Sequence, residues 1–193
     1  MGVNHSMNNR AVFLDRDGVI NHAFVRSGKP FPPNNFNDFK IIDGVAEALH
    51  NLRINNFKLI IVTNQPDVAR GTIKIDFINQ IHAYLLKILP IDDIRVCPHS
   101  DIDKCFCRKP NPGMIIDSAK KYNVDLTNSF MVGDRWRDID AGHAAGCKAI
   151  LIDYKYNEQL PKKNPNFVCS SLIEAADWLS LIHISEPTRP ERI

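Results

Sequence analysis

Short apolar segments of strand length alternate along the chain with segments in which apolar residues recur at helical spacing. The strand candidates are AVFL (11–14), FKLIIVTN (57–64), IRVC (94–97), SFMVGD (129–134) and CKAILID (147–153). The helix candidates are 43–56, 78–88, 111–123, 137–146 and 170–182. Strands that are apolar on both faces and separated by helices are typical of a parallel sheet. The pattern therefore predicts an α/β fold, a doubly wound and mainly parallel sheet with helices on both faces.

Helical spacing is clearest in the first helix candidate. Val45, Ala48, Leu49 and Leu52 fall at positions i, i+3, i+4 and i+7, and Asp43 stands where it could cap the helix N-terminus. We expect these four apolar side chains to face the sheet.

The length of 193 residues and the 44% hydrophobic content predict one buried core, in a single domain over residues 1–181. Residues 182–193, IHISEPTRPERI, continue no pattern and resemble translated adaptor sequence, so we expect a non-native tail. The polar start MGVNHSMNNR lacks the apolar segment of a secretory signal, and no apolar run has membrane-spanning length. These features predict a cytoplasmic protein, which we expect to be a monomer.

The charge balance points to a small-molecule partner. The formal net charge is +2, and the chain has no basic run of the kind that binds nucleic acid or a membrane surface. We therefore expect neither nucleic acid nor a membrane as partner.

The first strand candidate is followed by two acids. Asp15 and Asp17 are two residues apart, so in extended backbone their side chains project from the same side, and Gly18 then permits a sharp turn. Two carboxylates held this way repel each other and require a cation or a shared proton. A phosphate-transfer site would supply Mg²⁺, which prefers oxygen ligands. The alternative is a solvated turn, and the neighbouring motifs decide between the two.

Polar residues also stand at the ends of two further strand candidates, Thr63 and Asn64 on one and Asp134 on the other. Each alone could be a helix cap or a turn residue. Together they predict a site, because ligands of open α/β sheets bind at the carboxyl ends of the strands. Lys109 precedes Pro110 in an extended loop and offers a cation for an anionic substrate.

The motifs FLDRDGVIN, VTN, RKP and VGDRWRD, in this order and spacing, resemble the haloacid dehalogenase (HAD) superfamily over residues 11–155. The resemblance implies a Rossmann-like HAD fold without a large cap domain. It implies that Asp15 is the nucleophile, which forms an aspartyl-phosphate, and that Asp17 is the general acid and base. Thr63 and Lys109 would hold the phosphoryl oxygens.

The same resemblance implies a catalytic Mg²⁺ site. Its protein ligands would be Asp15, Asp134 and the main-chain carbonyl of Asp17, and Asp138 would support them.

A second cluster of ligand-type residues lies in CPHSDIDKCFC, where Cys97, His99, Cys105 and Cys107 could bind a structural Zn²⁺. The alternative is a buried thiol cluster with a surface histidine. This segment resembles a zinc-binding loop with a Cys-x-His and Cys-x-Cys pattern that occurs in two branches of the superfamily, the histidinol-phosphatases and the heptose 1,7-bisphosphate phosphatases. Zinc here would stiffen the loop that leads into Arg108 and Lys109. Cys147, Cys169 and His82 are interpreted as ordinary packing residues.

The substrate indications disagree between these two branches. TNQPDVARG and RKPNPGM look like the heptose enzymes, although Pro66 replaces an expected serine, whereas the five residues between His99 and Cys105 look like the histidinol enzymes. We expect removal of the 7-phosphate from D-glycero-D-manno-heptose 1,7-bisphosphate, with histidinol phosphate as the alternative. A nucleic-acid 3′-phosphatase and a non-catalytic phosphosugar-binding or zinc-stabilised interaction module are further alternatives.

Without a cap domain, substrate specificity must come from short loops. These are 19–35, 66–72 and the zinc loop. The candidate substrate-binding residues are Asn64, Arg70, Arg108 and Arg135.

Overall fold

The structure, a computed structural model, describes residues 9–185. Its strands are β1 (Arg10–Leu14), β2 (Phe24–Arg26), β3 (Lys29–Phe31), β4 (Phe57–Asn64), β5 (Asp93–Cys97), β6 (Phe130–Gly133), β7 (Lys148–Ile152) and β8 (Phe167–Cys169). Its α-helices are α1 (Val45–Ile54), α2 (Pro66–Ala69), α3 (Ile75–Ile88), α4 (Gly113–Tyr122), α5 (Trp136–Ala145) and α6 (Leu172–Ser185). Within this part of the chain, no helix is both long and apolar enough to cross a membrane.

Six strands form one parallel sheet in the order β5-β4-β1-β6-β7-β8. The remaining two, β2 and β3, form an antiparallel hairpin after β1. The prediction of a doubly wound parallel sheet is confirmed. This order places β1 in the middle, between β4 and β6, so the ends of these three strands lie side by side.

The sheet is covered on both faces because successive side chains of each strand point to opposite sides. On β1, Val12 and Leu14 belong to one hydrophobic cluster and Ala11 and Phe13 to the other. The first cluster includes residues of α1, α3 and α6, and the second includes residues of α4 and α5. Full burial of a side chain such as Leu14 contributes about 1.5–3 kcal/mol relative to exposure.

The first helix forms where the apolar spacing predicts it, and the four predicted residues are at most 1% exposed. The predicted cap is wrong. Gly44, not Asp43, is the N-cap residue, and no side chain caps this helix. Gly44 has a φ of 82°, and a Cβ at this position would overlap the side chain of Ile173 on α6. The close packing of α1 on α6 therefore determines how this helix begins.

The last helix continues to Ser185, and the side chain of Ile182 packs against the core. The predicted non-native tail begins at 182, and its residues 186–193 lie outside the described part of the chain. The described residues contain no large cap, and the β2–β3 hairpin is the structure that follows β1.

Candidate active site

The predicted site residues meet where the three central strands end. Backbone pairing extends one residue beyond β1, since the Asp15 amide donates to the Val132 carbonyl at 2.9 Å. Thr63 and Asn64 end β4, and Asp134 follows β6. The structure thus brings together the polar residues that the sequence analysis placed at separate strand ends.

Three carboxylates form a compact buried cluster. Oxygens of Asp15, Asp134 and Asp138 lie within 4.8 Å of one another, and the residues are 8%, 3% and 1% exposed. The Lys109 ammonium lies 2.8 Å from Asp15 Oδ1 and 2.6 Å from Asp138 Oδ1. A single ammonium faces three acids, so the cluster retains an excess of negative charge.

Burial and the neighbouring charges together shift the pKa values of these groups. Burial raises the pKa of Asp15 to about 6, against the opposing effect of Lys109. Burial, then Asp15 and Asp138, raise the pKa of Asp134 well above its usual range. Burial alone would lower the pKa of Lys109, but Asp138 and Asp15 outweigh it and the pKa is raised.

The residues present fit a divalent cation. Both carboxylate oxygens of Asp134 are buried and accept no well-formed hydrogen bond from the described residues, although the Tyr156 hydroxyl favours the ionised form. Unpaired buried carboxylate oxygens are costly unless a cation binds them. An all-oxygen cluster suits Mg²⁺.

The carboxylate of Asp17 is held by three neighbouring side chains. Arg16 Nη2 lies 3.0 Å from Oδ1 and 2.9 Å from Oδ2, and Asn21 Nδ2 donates to Oδ1 at 2.9 Å. Gln65 Nε2 donates to Oδ2 at 2.8 Å and to Thr63 Oγ1 at 2.9 Å. None of these three contacts with Asp17 was predicted from the sequence, and only the position of Arg16 between the two acids could have indicated one of them.

The four predicted substrate-binding residues all make contacts with other residues of the protein. The side-chain amide of Asn64 makes two hydrogen bonds with the backbone of Lys109. Its Nδ2 donates to the Lys109 carbonyl at 3.0 Å, and its Oδ1 accepts from the Lys109 N–H at 3.1 Å. Arg108 Nε donates to Asp101 Oδ1 at 2.9 Å. Arg70 pairs with Asp67 at 3.1 Å, and Arg135 pairs with Glu158. All four predicted substrate-binding residues line the same pocket as Asp15, and their binding role stays a prediction.

The four predicted zinc ligands converge between β5 and α4. Cys97 Sγ lies 3.6 Å from Cys105 Sγ and 3.3 Å from Cys107 Sγ, and His99 Nδ1 lies 3.3 Å from Cys107 Sγ. Tetrahedral Zn²⁺ with Zn–S bonds of about 2.3 Å separates its sulfurs by about 3.8 Å. Three sulfurs and one imidazole nitrogen at these spacings therefore fit a closed tetrahedral metal site.

The pocket above Asp15 has a volume of about 240 Å³ and is rich in cations. Its walls come from all three short loops that the sequence predicted, including Lys29 on β3, Arg70 after α2 and Arg108 in the loop with the predicted zinc ligands. Apart from Asp15, Asp17, Lys109 and Asp138, five cations and two acids line it: Lys29, Arg70, Arg108, Arg135, Arg137, Asp67 and Asp101. The entrance therefore favours a substrate with negative charge away from the reacting group.

Comparisons with known proteins agree with this geometry. Residues 106–175 match the HAD-hydrolase-like family. A D-glycero-beta-D-manno-heptose-1,7-bisphosphate 7-phosphatase of Helicobacter pylori is 34% identical over 181 residues, which cover 89% of this chain and 97% of that protein. The protein of the same name from Rhodopseudomonas palustris is 39% identical over 148 residues, 70% of this chain and 79% of its own.

A solved structure is also similar. It is the D,D-heptose 1,7-bisphosphate phosphatase from B. bronchiseptica, crystallised with magnesium and phosphate. Its TM-score is 0.74 at 33% identity, and the match covers 90% of this chain and 99% of that one. The parallel sheet with its acidic, lysine-bridged site defines a HAD-like hydrolase. Within that class the chain belongs to the family of these phosphatases, and it is a phosphoric monoester hydrolase.

Proposed function

We propose that this phosphatase removes the 7-phosphate from D-glycero-D-manno-heptose 1,7-bisphosphate as a cytoplasmic monomer. The observation that carries the choice of substrate is the excess of cations in the pocket, five against two acids beyond the catalytic group. A bisphosphate presents a second anion to these side chains. Histidinol phosphate would instead present an ammonium, which the same side chains would repel.

In the proposed reaction, a carboxylate oxygen of Asp15 attacks phosphorus, and the bond from phosphorus to the sugar oxygen breaks as Asp17 donates a proton to that oxygen. Asp17 then takes a proton from water. The water oxygen attacks phosphorus, and the bond from phosphorus to Asp15 breaks to release phosphate. Thr63 and Lys109 would hold the phosphoryl oxygens during both steps.

Two metal ions complete the proposal. Asp15, Asp134 and the main-chain carbonyl of Asp17 would hold Mg²⁺, which neutralises charge on the phosphoryl group when it is bound. Asp138 would support this site by holding Lys109, which it contacts at 2.6 Å. Cys97, His99, Cys105 and Cys107 would hold a structural Zn²⁺.

Asn64, Arg70, Arg108 and Arg135 would bind the rest of the substrate. The contacts of Asn64 with Lys109 make it a residue that also fixes the lysine backbone. Arg108 shares Asp101 with Arg137, which lies 3.2 Å from that carboxylate.

The test is phosphate release with Mg²⁺ from heptose 1,7-bisphosphate and from histidinol phosphate, measured in parallel. We expect kcat/KM to favour the heptose by at least about a hundredfold, because a favourable charge contact is exchanged for a repulsive one. The Asp15→Asn variant should lose at least about a thousandfold in kcat on either substrate, since it removes the nucleophile. A preference for histidinol phosphate would overturn the substrate and leave the assignment of Asp15 intact.

A further inference from the structure

A fully buried arginine lies beneath the proposed general acid. Arg16 is 0% exposed although it stands between the two catalytic acids. Its backbone carbonyl accepts hydrogen bonds from the amides of Ile20 at 2.8 Å and Asn21 at 3.0 Å, which closes the turn after β1. Its guanidinium faces Asp17 through Nε and Nη2. One residue thus shapes both the backbone and the side-chain surroundings of Asp17.

The other end of this guanidinium contacts a histidine of α3. Arg16 Nη1 lies 3.1 Å from His82 Nε2. Burial, with the Arg16 charge as second cause, lowers the pKa of His82 to about 3, so its imidazole is neutral at physiological pH. Because an arginine has only donors, the neutral ring must accept at Nε2 and carry its proton on Nδ1.

A general acid and base needs this kind of support. Asp17 must present the same carboxylate to the leaving oxygen and then to water, while its own charge changes between the two steps. A planar guanidinium that contacts both carboxylate oxygens fixes the carboxylate plane, which a lysine ammonium cannot do. His82 Nε2 is the acceptor at Nη1, so it holds the end of the guanidinium that Asp17 does not contact.

We propose that Arg16 and His82 are positioning residues, His82 holding the guanidinium so that Arg16 orients Asp17 for proton transfer. The inference rests on the proposed function of Asp17. It assigns a catalytic consequence to a histidine of a helix that contributes none of the predicted site residues.

The primary test compares His82→Leu, which removes the acceptor, with His82→Gln, which retains a side-chain acceptor. For heptose bisphosphate we expect His82→Leu to lower kcat about tenfold to a hundredfold, with KM within about twofold, because a slightly misplaced catalytic group affects the chemical steps. His82→Gln should recover most of this loss. His143→Leu is the matched control, because His143 lies on α5 and its ring hydrogen-bonds the Asn164 carbonyl at 3.1 Å instead of a predicted site residue.

A second measurement distinguishes a misplaced Asp17 from a general loss of structure at the active site. With p-nitrophenyl phosphate the leaving group needs no proton, whereas attack of water on the aspartyl-phosphate still needs the base. His82→Leu should therefore release about one equivalent of p-nitrophenolate per enzyme in a rapid burst and then turn over slowly. If His82→Leu does not fold, Arg16→Lys carries the same test, because it retains the charge and loses the planar contact.

The outcomes are distinguishable. Suppose that the wild type hydrolyses the substrate and that Asp17→Asn is inactive, so that the proposed function stands. A folded His82→Leu variant with wild-type kcat, or with a change in KM only, would then overturn the inference about Arg16 and His82 without affecting the proposed function. If the wild type releases phosphate from neither sugar bisphosphate nor p-nitrophenyl phosphate with Mg²⁺, the proposed function itself is wrong.

Discussion

Gly18 lets the turn after β1 pass against the acid that follows β6. Its φ is 90°, in the left-handed region that favours glycine, and a Cβ there would overlap the Asp134 carboxylate. The glycine therefore serves the site in two ways, through the turn itself and through the space that it leaves for a proposed metal ligand.

Replacing this glycine should damage the site more than the fold. We expect Gly18→Ala to lower kcat/KM at least about tenfold and to raise the Mg²⁺ concentration needed for half-maximal activity, because Asp134 must move. Gly146→Ala is the control. Its φ is 93° and a Cβ there meets nothing within 4 Å, so it shares the backbone strain, roughly 1 kcal/mol, without touching the site. Equal effects of the two variants on activity would contradict this account.

The residues that were predictable from sequence are those whose neighbours in the chain reveal them. Asp15 and Asp17 follow a strand and precede a glycine, and Asp134 directly follows another strand, so the local sequence pattern is enough to identify them. The contact of Arg16 with His82 was not predictable, because the two residues are 66 positions apart and on different elements. The contact of Lys109 with Asp138 is likewise tertiary.

At the scale of elements, the loop at 98–109, which carries three of the four predicted zinc ligands, connects the edge of the sheet to the proposed phosphate site. Cys97 ends β5, and Cys107 is followed directly by Arg108 and Lys109. A loop of this length has little apolar burial of its own, and Phe106 is 60% exposed. A bound metal would therefore supply much of the order that holds Lys109 beside Asp15.

Removing one of the predicted zinc ligands should lower the zinc content and disturb the position of Lys109. We expect wild-type protein to contain about one equivalent of zinc and Cys107→Ser to contain much less, with kcat at least about tenfold lower. Cys147→Ser is the control, a buried thiol outside the cluster that should retain the zinc. Elemental analysis of both variants, with activity measured at saturating Mg²⁺, makes the comparison. Full zinc content in Cys107→Ser would contradict the assigned ligand set.

Elements were predictable in proportion to their length. The five strand candidates and the helix candidates all appear, but β2, β3 and β8 were not predicted, and each has three residues. Three residues carry too little alternation to be distinguished from a loop. The hairpin that was not predicted forms part of the pocket wall, since Lys29 on β3 lines the pocket.

At the scale of the whole molecule, helices from both faces of the sheet supply side chains that contact the predicted site residues or their neighbours. Asp138 belongs to α5 on one face, and His82 belongs to α3 on the other. Alternating strands and helices predicted the layers, but the strand order that brings β4, β1 and β6 together depends on long-range pairing. Packing of α3 on the sheet therefore contributes both to global stability and to the placement of Arg16.

This coupling should be visible in the pH dependence of unfolding. The pKa of His82 is about 3 in the folded protein and ordinarily 6.5, so the unfolded chain binds the proton more readily. Its contribution to stability is complete above pH 6.5 and is lost as the pH falls toward 3. Protonation in the fold would place a second positive charge beside Arg16, which the nearby Asp17 only partly offsets. The linked loss between pH 6.5 and pH 4 is at most about 3 kcal/mol.

Urea unfolding of the wild type and of His82→Gln at pH 7, 5.5 and 4 measures the contribution of His82 to the free energy of unfolding. Carboxylates titrate in both proteins, so the difference between their free energies of unfolding isolates the histidine. We expect the wild type to lose more stability than the variant over this range, because only the wild type gains a proton at position 82 on unfolding. Parallel curves would mean that the imidazole is accessible to protons in the folded state, and the buried contact with Arg16 would then be wrong.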